Sequence, residues 1–211
     1  MLYTETVETG TLDLIKRFML DEVFNEFRLV GGTALSLYIG HRISIDIDLF
    51  SDTDFDAAKL SEHLDSHYRA EKTQTLKNGA FSLVENIKVD LIAHQYPWLF
   101  PVNNVDGIRM ASIDDIGAMK VHAVVQSGNR IKDFVDIHYL LEYRSLNQLI
   151  NSYQQKYPDA NRVLAQNAIL YFSDIDFDIP IKLIKQPLAW GKVEERLAAA
   201  SRNKDMVFNL R

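Results

Sequence analysis

The sequence predicts an α/β fold of the α+β kind: a small mixed sheet flanked by helices, followed by a helical C-terminal half. Three observations predict it. Apolar and polar residues alternate strictly over 44–49 and again through 87–91 of the run 87–92, which marks strands with one buried face. An apolar run over 27–30 passes through Gly31 and Gly32 into a short helical run, 34–39, forming a strand–glycine–helix joint. Beyond about residue 111 the alternation gives way to helical spacing, so residues 1–111 read as a core domain and 112–211 as a helical region closing one side of a cleft.

Each element follows from local pattern. Over 11–26, Leu12, Ile15, Phe18, Met19 and Val23 recur at helical spacing, with Thr11 as candidate N-cap. Gly40 closes the short helix 34–39. Residues 51–54 form a turn cluster before an amphipathic helix carrying Ala57, Leu60 and Leu64, and Asp52, Asp54 and Asp56 read as caps and solvated charges. Lys77, Asn78 and Gly79 turn a hairpin between strands 73–76 and 80–84. A Pro- and aromatic-rich connector, 96–101, leads to a short edge strand over 105–110. Ser112, Asp114 and Asp115 supply a cap and first-turn acids for the next helix, through Val125. Arg130 opens another, with Ile131, Phe134, Val135, Ile137, His138 and Leu141 on an apolar stripe, and further helices are expected over 146–156, 161–172 and 192–201.

The chemistry concentrates in residues 29–50. Glycines let backbone approach an anion, and the first amides of a helix, with the positive end of its dipole, point at one. Gly31 and Gly32 therefore read as a phosphate cradle, with Thr33 either capping the helix or offering its hydroxyl to a phosphate. On the strand that follows, Ile45, Ile47 and Leu49 share one face while Ser44, Asp46 and Asp48 share the other. Neighbouring carboxylates repel unless a cation lies between them. Magnesium suits two carboxylates plus substrate phosphates. The strand 87–92 repeats the pattern, with Lys88 and Asp90 together on its polar face, and Asp90 completes a ligand set for a pair of Mg²⁺ ions.

Bulk properties narrow the function classes. With 23 basic and 29 acidic residues among 211, the net charge of −6 argues against a broad nucleic-acid-coating surface. The absence of cysteine removes disulfides, thiolate zinc sites and cysteine nucleophiles. No signal-type start and no membrane-length apolar run is present, so a cytoplasmic protein with no membrane partner is expected. The run from Asp174 to Asp178 imitates a second D-x-D strand, but it lacks a glycine pair before it and ends in Pro180, so it reads as surface loop or edge strand. The best-spaced histidines, His63 and His67, sit on a helix expected to be exposed and do not make a convincing metal site.

The glycine pair followed by D-x-D resembles the signature of the polymerase-beta-like nucleotidyltransferase superfamily. GGTAL, GHR and S-x-D-x-DLF are similar, more narrowly, to the abortive-infection toxin-type nucleotidyltransferases, the AbiEii/AbiGii family. That resemblance covers residues 27–140. It implies an enzyme moving a nucleoside monophosphate from a nucleoside triphosphate to an RNA (tRNA among them) or protein hydroxyl, with Asp46, Asp48 and Asp90 holding two Mg²⁺ ions, Asp90 the candidate proton acceptor, and a cognate antitoxin as partner. It also implies that Lys120, in a D-x-x-x-x-K element with Asp115, serves the nucleotide's phosphates. Asp133 and Asp136 of KDFVD match a further family segment, with Asp133 orienting a lysine or the acceptor and Asp136 a structural partner. Arg42 of GHR reads either as a triphosphate contact or as an outward salt bridge. Lys88 and Asp90 match the family's K-x-D, but Gln95 stands where the family often carries another acid. Two rival readings stand beside it: a small-molecule, antibiotic-type nucleotidyltransferase, which shares every motif, and a non-enzymatic nucleotide-binding partner module. A dinucleotide-binding fold needs G-x-G-x-x-G, which Gly31, Gly32 and Gly40 do not supply.

Overall fold

A computed structural model describes residues 1–184 and 186–208. The chain divides into two compact units, Met1–Ser112 and Ile113–Arg211.

The first unit begins with α1 (Thr9–Leu20), which buries Leu14, Ile15, Phe18 and Met19. Thr11 lies buried inside this helix instead of capping it. The helix also stops at Leu20, short of the Glu26 that apolar spacing suggested, because Asp21 intervenes. The Asp21 carboxylate accepts from the Val23 N–H and starts a separate turn of 3-10 helix, Glu22–Phe24. The guanidinium of Arg109 locks this reversal by donating to the carbonyls of Met19 (2.7 Å) and Phe24 (2.9 Å).

Then come β1 (Arg28–Leu29), α2 (Gly31–Ile39), β2 (Ile47–Ser51), α3 (Ala57–Tyr68), β3 (Glu71–Leu76), β4 (Gly79–Val84), β5 (Ile87–Ala93), β6 (Asn103–Val105) and β7 (Ile108–Met110). The strands form one seven-stranded mixed sheet in the order β3-β4-β5-β2-β1-β7-β6. β2 runs parallel to β5 and antiparallel to β1, and β1 runs parallel to β7. The sheet matches the expected architecture, with one difference at 105–110. That segment is the turn and second arm of a hairpin, because Asp106 and Gly107 both take positive φ; β7 lies inside the sheet beside β1, and β6 is the edge. Ile47, Leu49, Val89 and Leu91 are fully buried, as alternation requires. Ile45 is not: it is 51% exposed, since β2 begins only at Ile47.

The second unit is helical: α4 (Ile113–Gln126), α5 (Ile131–Leu140), α6 (Leu146–Lys156), α7 (Arg162–Ala168) and α8 (Trp190–Arg202). α4 packs against α5, α6 and α7, while α8 packs on α5. A capping box of Ser145 and Gln148 starts α6. The helix expected over 161–172 is shorter, starting from the Asn161 side-chain cap and ending at Ala168. The Asp174–Asp178 run is irregular, with Asp176 bridged to Arg130 and its carboxylate turned back on the Asp178 N–H. Among the described residues, no helix is long and apolar enough to cross a membrane.

Candidate active site

Eight of the sequence-derived candidates fall in the sheet unit, around the joint of β1, α2 and β2. The start of α2 is organised by close approach of side chains to its two glycines. Gly31 has φ +68°, and a Cβ there would overlap the Asp48 carboxylate. A Cβ on Gly32 would overlap the Arg42 guanidinium and stand 3.2 Å from the Ser44 hydroxyl. The glycine pair therefore makes room for a carboxylate under one residue and a guanidinium under the next. No side chain caps α2 at Val30, so its first-turn amides are left to other acceptors.

Thr33 behaves differently from the expectation. It is fully buried, and its hydroxyl points inward to the Asp46 carbonyl and the Ser44 hydroxyl rather than toward a cap or a phosphate. Its role is to staple α2 to the segment before β2. The Ser44 N–H donates to the Thr6 carbonyl (3.0 Å), so the residues on both sides of Ile45 are pinned and Ile45 faces outward. Arg42 is 3% exposed, which excludes the outward salt bridge.

The carboxylates come together through strand register. Asp48 on β2 is the direct partner of Asp90 on the neighbouring parallel strand β5, which sets the two side chains on the same face. On the other side of Asp90, in β4, stands Phe81, and Leu83 stands opposite Lys88. Asp90 is 9% exposed; its Oδ2 accepts from the Lys88 ammonium at 2.6 Å, and its buried Oδ1 has no hydrogen-bond partner. Burial pulls the Lys88 pKa down, but the Asp90 hydrogen bond and the charges of Asp90, Asp48 and Asp46 outweigh it and hold the ammonium above the ordinary lysine value.

Among the described residues no three His, Cys, Asp or Glu side chains converge closely enough to hold an ion by themselves. The donor set nevertheless fits a hard divalent cation. It offers carboxylate oxygens only, one of them buried and unsatisfied, and Mg²⁺ completes its shell with water and substrate phosphates rather than with an all-protein cage.

The remaining two candidates lie in the helical unit. Lys120, on α4, is 6% exposed. Its ammonium meets the Asp133 Oδ1 and the Asp136 Oδ2, each at 2.7 Å, both on α5. Asp115, which the family resemblance groups with Lys120, pairs with Lys156 of α6 at 2.9 Å, both side chains fully buried. Sequence reading did not single out Lys156. His63 is also no exposed ligand: it bonds the Asp21 carboxylate at 2.6 Å and stacks on His67 with ring centroids 4.2 Å apart.

Comparison with known proteins points one way. The profile of the family described as nucleotidyl transferase AbiEii toxin, type IV TA system, matches residues 13–203. An uncharacterised protein of Aquifex aeolicus is 32% identical over 179 residues, spanning 82% of this chain and 85% of that one. Among solved structures, a candidate nucleotidyltransferase from H. pylori superposes with TM-score 0.60 at 17% identity, covering 94% of this chain and 96% of that chain. MenT4, a nucleotidyltransferase toxin of Mycobacterium tuberculosis, superposes with TM-score 0.60 at 14% identity, covering 92% of this chain and 84% of that chain.

Proposed function

We propose that this chain, which belongs to the AbiEii family of nucleotidyl transferase toxins of type IV toxin–antitoxin systems, transfers a nucleoside monophosphate from a nucleoside triphosphate to a hydroxyl of an RNA, tRNA among them, or of a protein. The observation that carries the reading is the register pairing of Asp48 with Asp90, one carboxylate packed under Gly31 at the start of α2 and the other holding a buried oxygen without a partner.

In this reading Asp46, Asp48 and Asp90 hold the divalent cations. When bound, such ions neutralise charge on the transferring phosphoryl group and activate the attacking oxygen. The first turn of α2, at Gly31 and Gly32, receives the phosphates through backbone N–H groups, with Arg42 adding fixed positive charge beneath it. The acceptor oxygen forms the new bond to the α-phosphorus, the bond to the bridging oxygen breaks, pyrophosphate leaves, and Asp90 takes the hydroxyl proton. Thr33 keeps the DxD segment in place without touching substrate. In the helical unit, Lys120 is the charge that the family resemblance assigns to phosphates, and Asp133 and Asp136 orient its ammonium. Nucleoside triphosphate as donor sets the reaction in the cytoplasm, and the antitoxin of the system is the cognate partner.

The test is incubation of the purified chain with each α-³²P-labelled nucleoside triphosphate, Mg²⁺ and a total RNA and protein extract, beside an Asp48→Ala control. Label entering a discrete RNA or protein band only with the intact enzyme supports the reading. Label that stays out of every macromolecule but enters a small-molecule product redirects it to the antibiotic-type transferases. Equal labelling by Asp48→Ala refutes the assignment of the site.

A further inference from the structure

We propose that Lys88 is a counter-ion built into the active site: it holds Asp90 while no metal is bound, and a divalent cation must displace it. The inference rests on the reading of Asp48 and Asp90 as cation ligands and goes beyond it by assigning a competitor for that cation.

The surroundings of Asp90 carry the argument. Its lateral neighbours in the sheet are Asp48 on one side and Phe81 on the other, a like charge and an apolar ring. Neither can compensate a carboxylate that is 9% exposed. The compensating group is Lys88, two residues earlier on the same strand and therefore on the same face, with its ammonium 2.6 Å from the Asp90 Oδ2. A pair built only for stability would satisfy both oxygens of a carboxylate that deep, yet Oδ1 has no partner. The arrangement leaves Asp90 half-compensated, which is what a site that must later accept another cation requires.

Lys88 is also free to yield. Its side chain is 55% exposed, and its neighbour across the sheet is the apolar Leu83, so its stem can turn away without abandoning a second polar partner there. A lysine ammonium is a compact charge on a flexible stem, unlike the rigid fork of an arginine. By contrast, the Lys156 ammonium is sealed on Asp115 at 0% side-chain exposure, which suits a permanent pair.

If Lys88 competes with the ion, removing it uncovers the carboxylates and metal binding tightens. The loss of a half-exposed pair of this kind corresponds to up to about fivefold in affinity. The experiment titrates the full chain with Mn²⁺, reading free ion by electron paramagnetic resonance, for wild type, Lys88→Met, Lys88→Gln, Lys88→Arg and Asp48→Asn. Expected are Lys88→Met and Lys88→Gln binding more tightly than wild type, Lys88→Arg no more tightly, and Asp48→Asn much more weakly. In chelator both neutral variants should melt below wild type, and saturating Mn²⁺ should raise their melting temperature by more than it raises that of wild type. Unchanged or weaker Mn²⁺ binding in both neutral variants, with Asp48→Asn still impaired, overturns the role of Lys88 and leaves the metal-site reading standing. Absence of Mn²⁺ binding in every protein, wild type included, overturns both.

Discussion

Replacing Gly31 by alanine tests whether the glycine pair belongs to the chemistry or merely turns the chain. Two costs are separable. The first is backbone: φ of +68° places a non-glycine residue in left-handed space, at about 1–2 kcal/mol. In a chain of this size that is about 2–8 °C in melting temperature, at about 2–4 °C per kcal/mol. The second is contact, because the new Cβ would overlap the Asp48 carboxylate, and something must move. The helix start is tied down by the Thr33 staple, so the short Asp48 side chain is the part that gives way. A displacement of about 1 Å in a positioned catalytic group costs about a hundredfold in rate.

Gly31→Ala is therefore expected to lose about two orders of magnitude in label transfer while remaining folded. The control is the same substitution in an Asp48→Ala background, where the overlap with the carboxylate is gone, only the Cβ at 3.2 Å remains, and the backbone term dominates. Thermal melts of the four proteins form a double-mutant cycle, and the expected coupling means that Gly31→Ala destabilises the chain more when Asp48 is present. A Gly31→Ala enzyme with wild-type turnover, or a cycle with no coupling, would show that the carboxylate is not held against the glycine as described.

Three further outcomes follow from the same structure. Arg109→Ala removes a fork that binds the carbonyls ending α1 and the turn after it, and should cost about 2–4 kcal/mol in denaturant unfolding, with Arg109→Lys recovering less than half. Lys156→Met removes the ammonium paired with the fully buried Asp115 carboxylate and should cost about 3–5 kcal/mol, part of which the double variant Lys156→Met with Asp115→Leu restores. His122 has its pKa lowered below 6.5 by burial, so the unfolded chain binds its proton more readily than the folded one. The stability it contributes is complete above that value and is lost as pH falls toward the folded pKa, so melting temperature should drop between pH 7.5 and 5.5 less steeply in His122→Phe than in wild type.

Much of the fold was legible because it rests on period and punctuation. The alternation over 87–91 became β5, the expected turn at Lys77 and Asn78 joined β3 to β4, and α6 spans the expected 146–156. What failed were the places where a polar side chain overrode the period. Asp21 cut α1 short by bonding the Val23 N–H, although Val23 continued the apolar spacing. The run over 105–110 looked like one strand, yet the positive φ at Asp106 and Gly107 turned it into a hairpin and moved β7 into the sheet interior.

At the site, residue types and faces could be read from sequence, and pairings could not. Alternation set Asp48 and Asp90 each on the polar face of its strand, but their adjacency is a property of sheet order, which brings β2 beside β5 across an intervening helix and hairpin. The same holds for Lys120 and Asp115, which the D-x-x-x-x-K element of the family resemblance grouped and tertiary packing assigned to different partners on α5 and α6. Lys88 is the exception that local pattern could have resolved. Two residues apart on one strand, a lysine and a carboxylate must share a face, so their pairing was implicit in K-x-D. What the sequence lacked was the reason the pair matters: Asp48 and Phe81 flank Asp90 in the sheet, and neither offers it a positive charge.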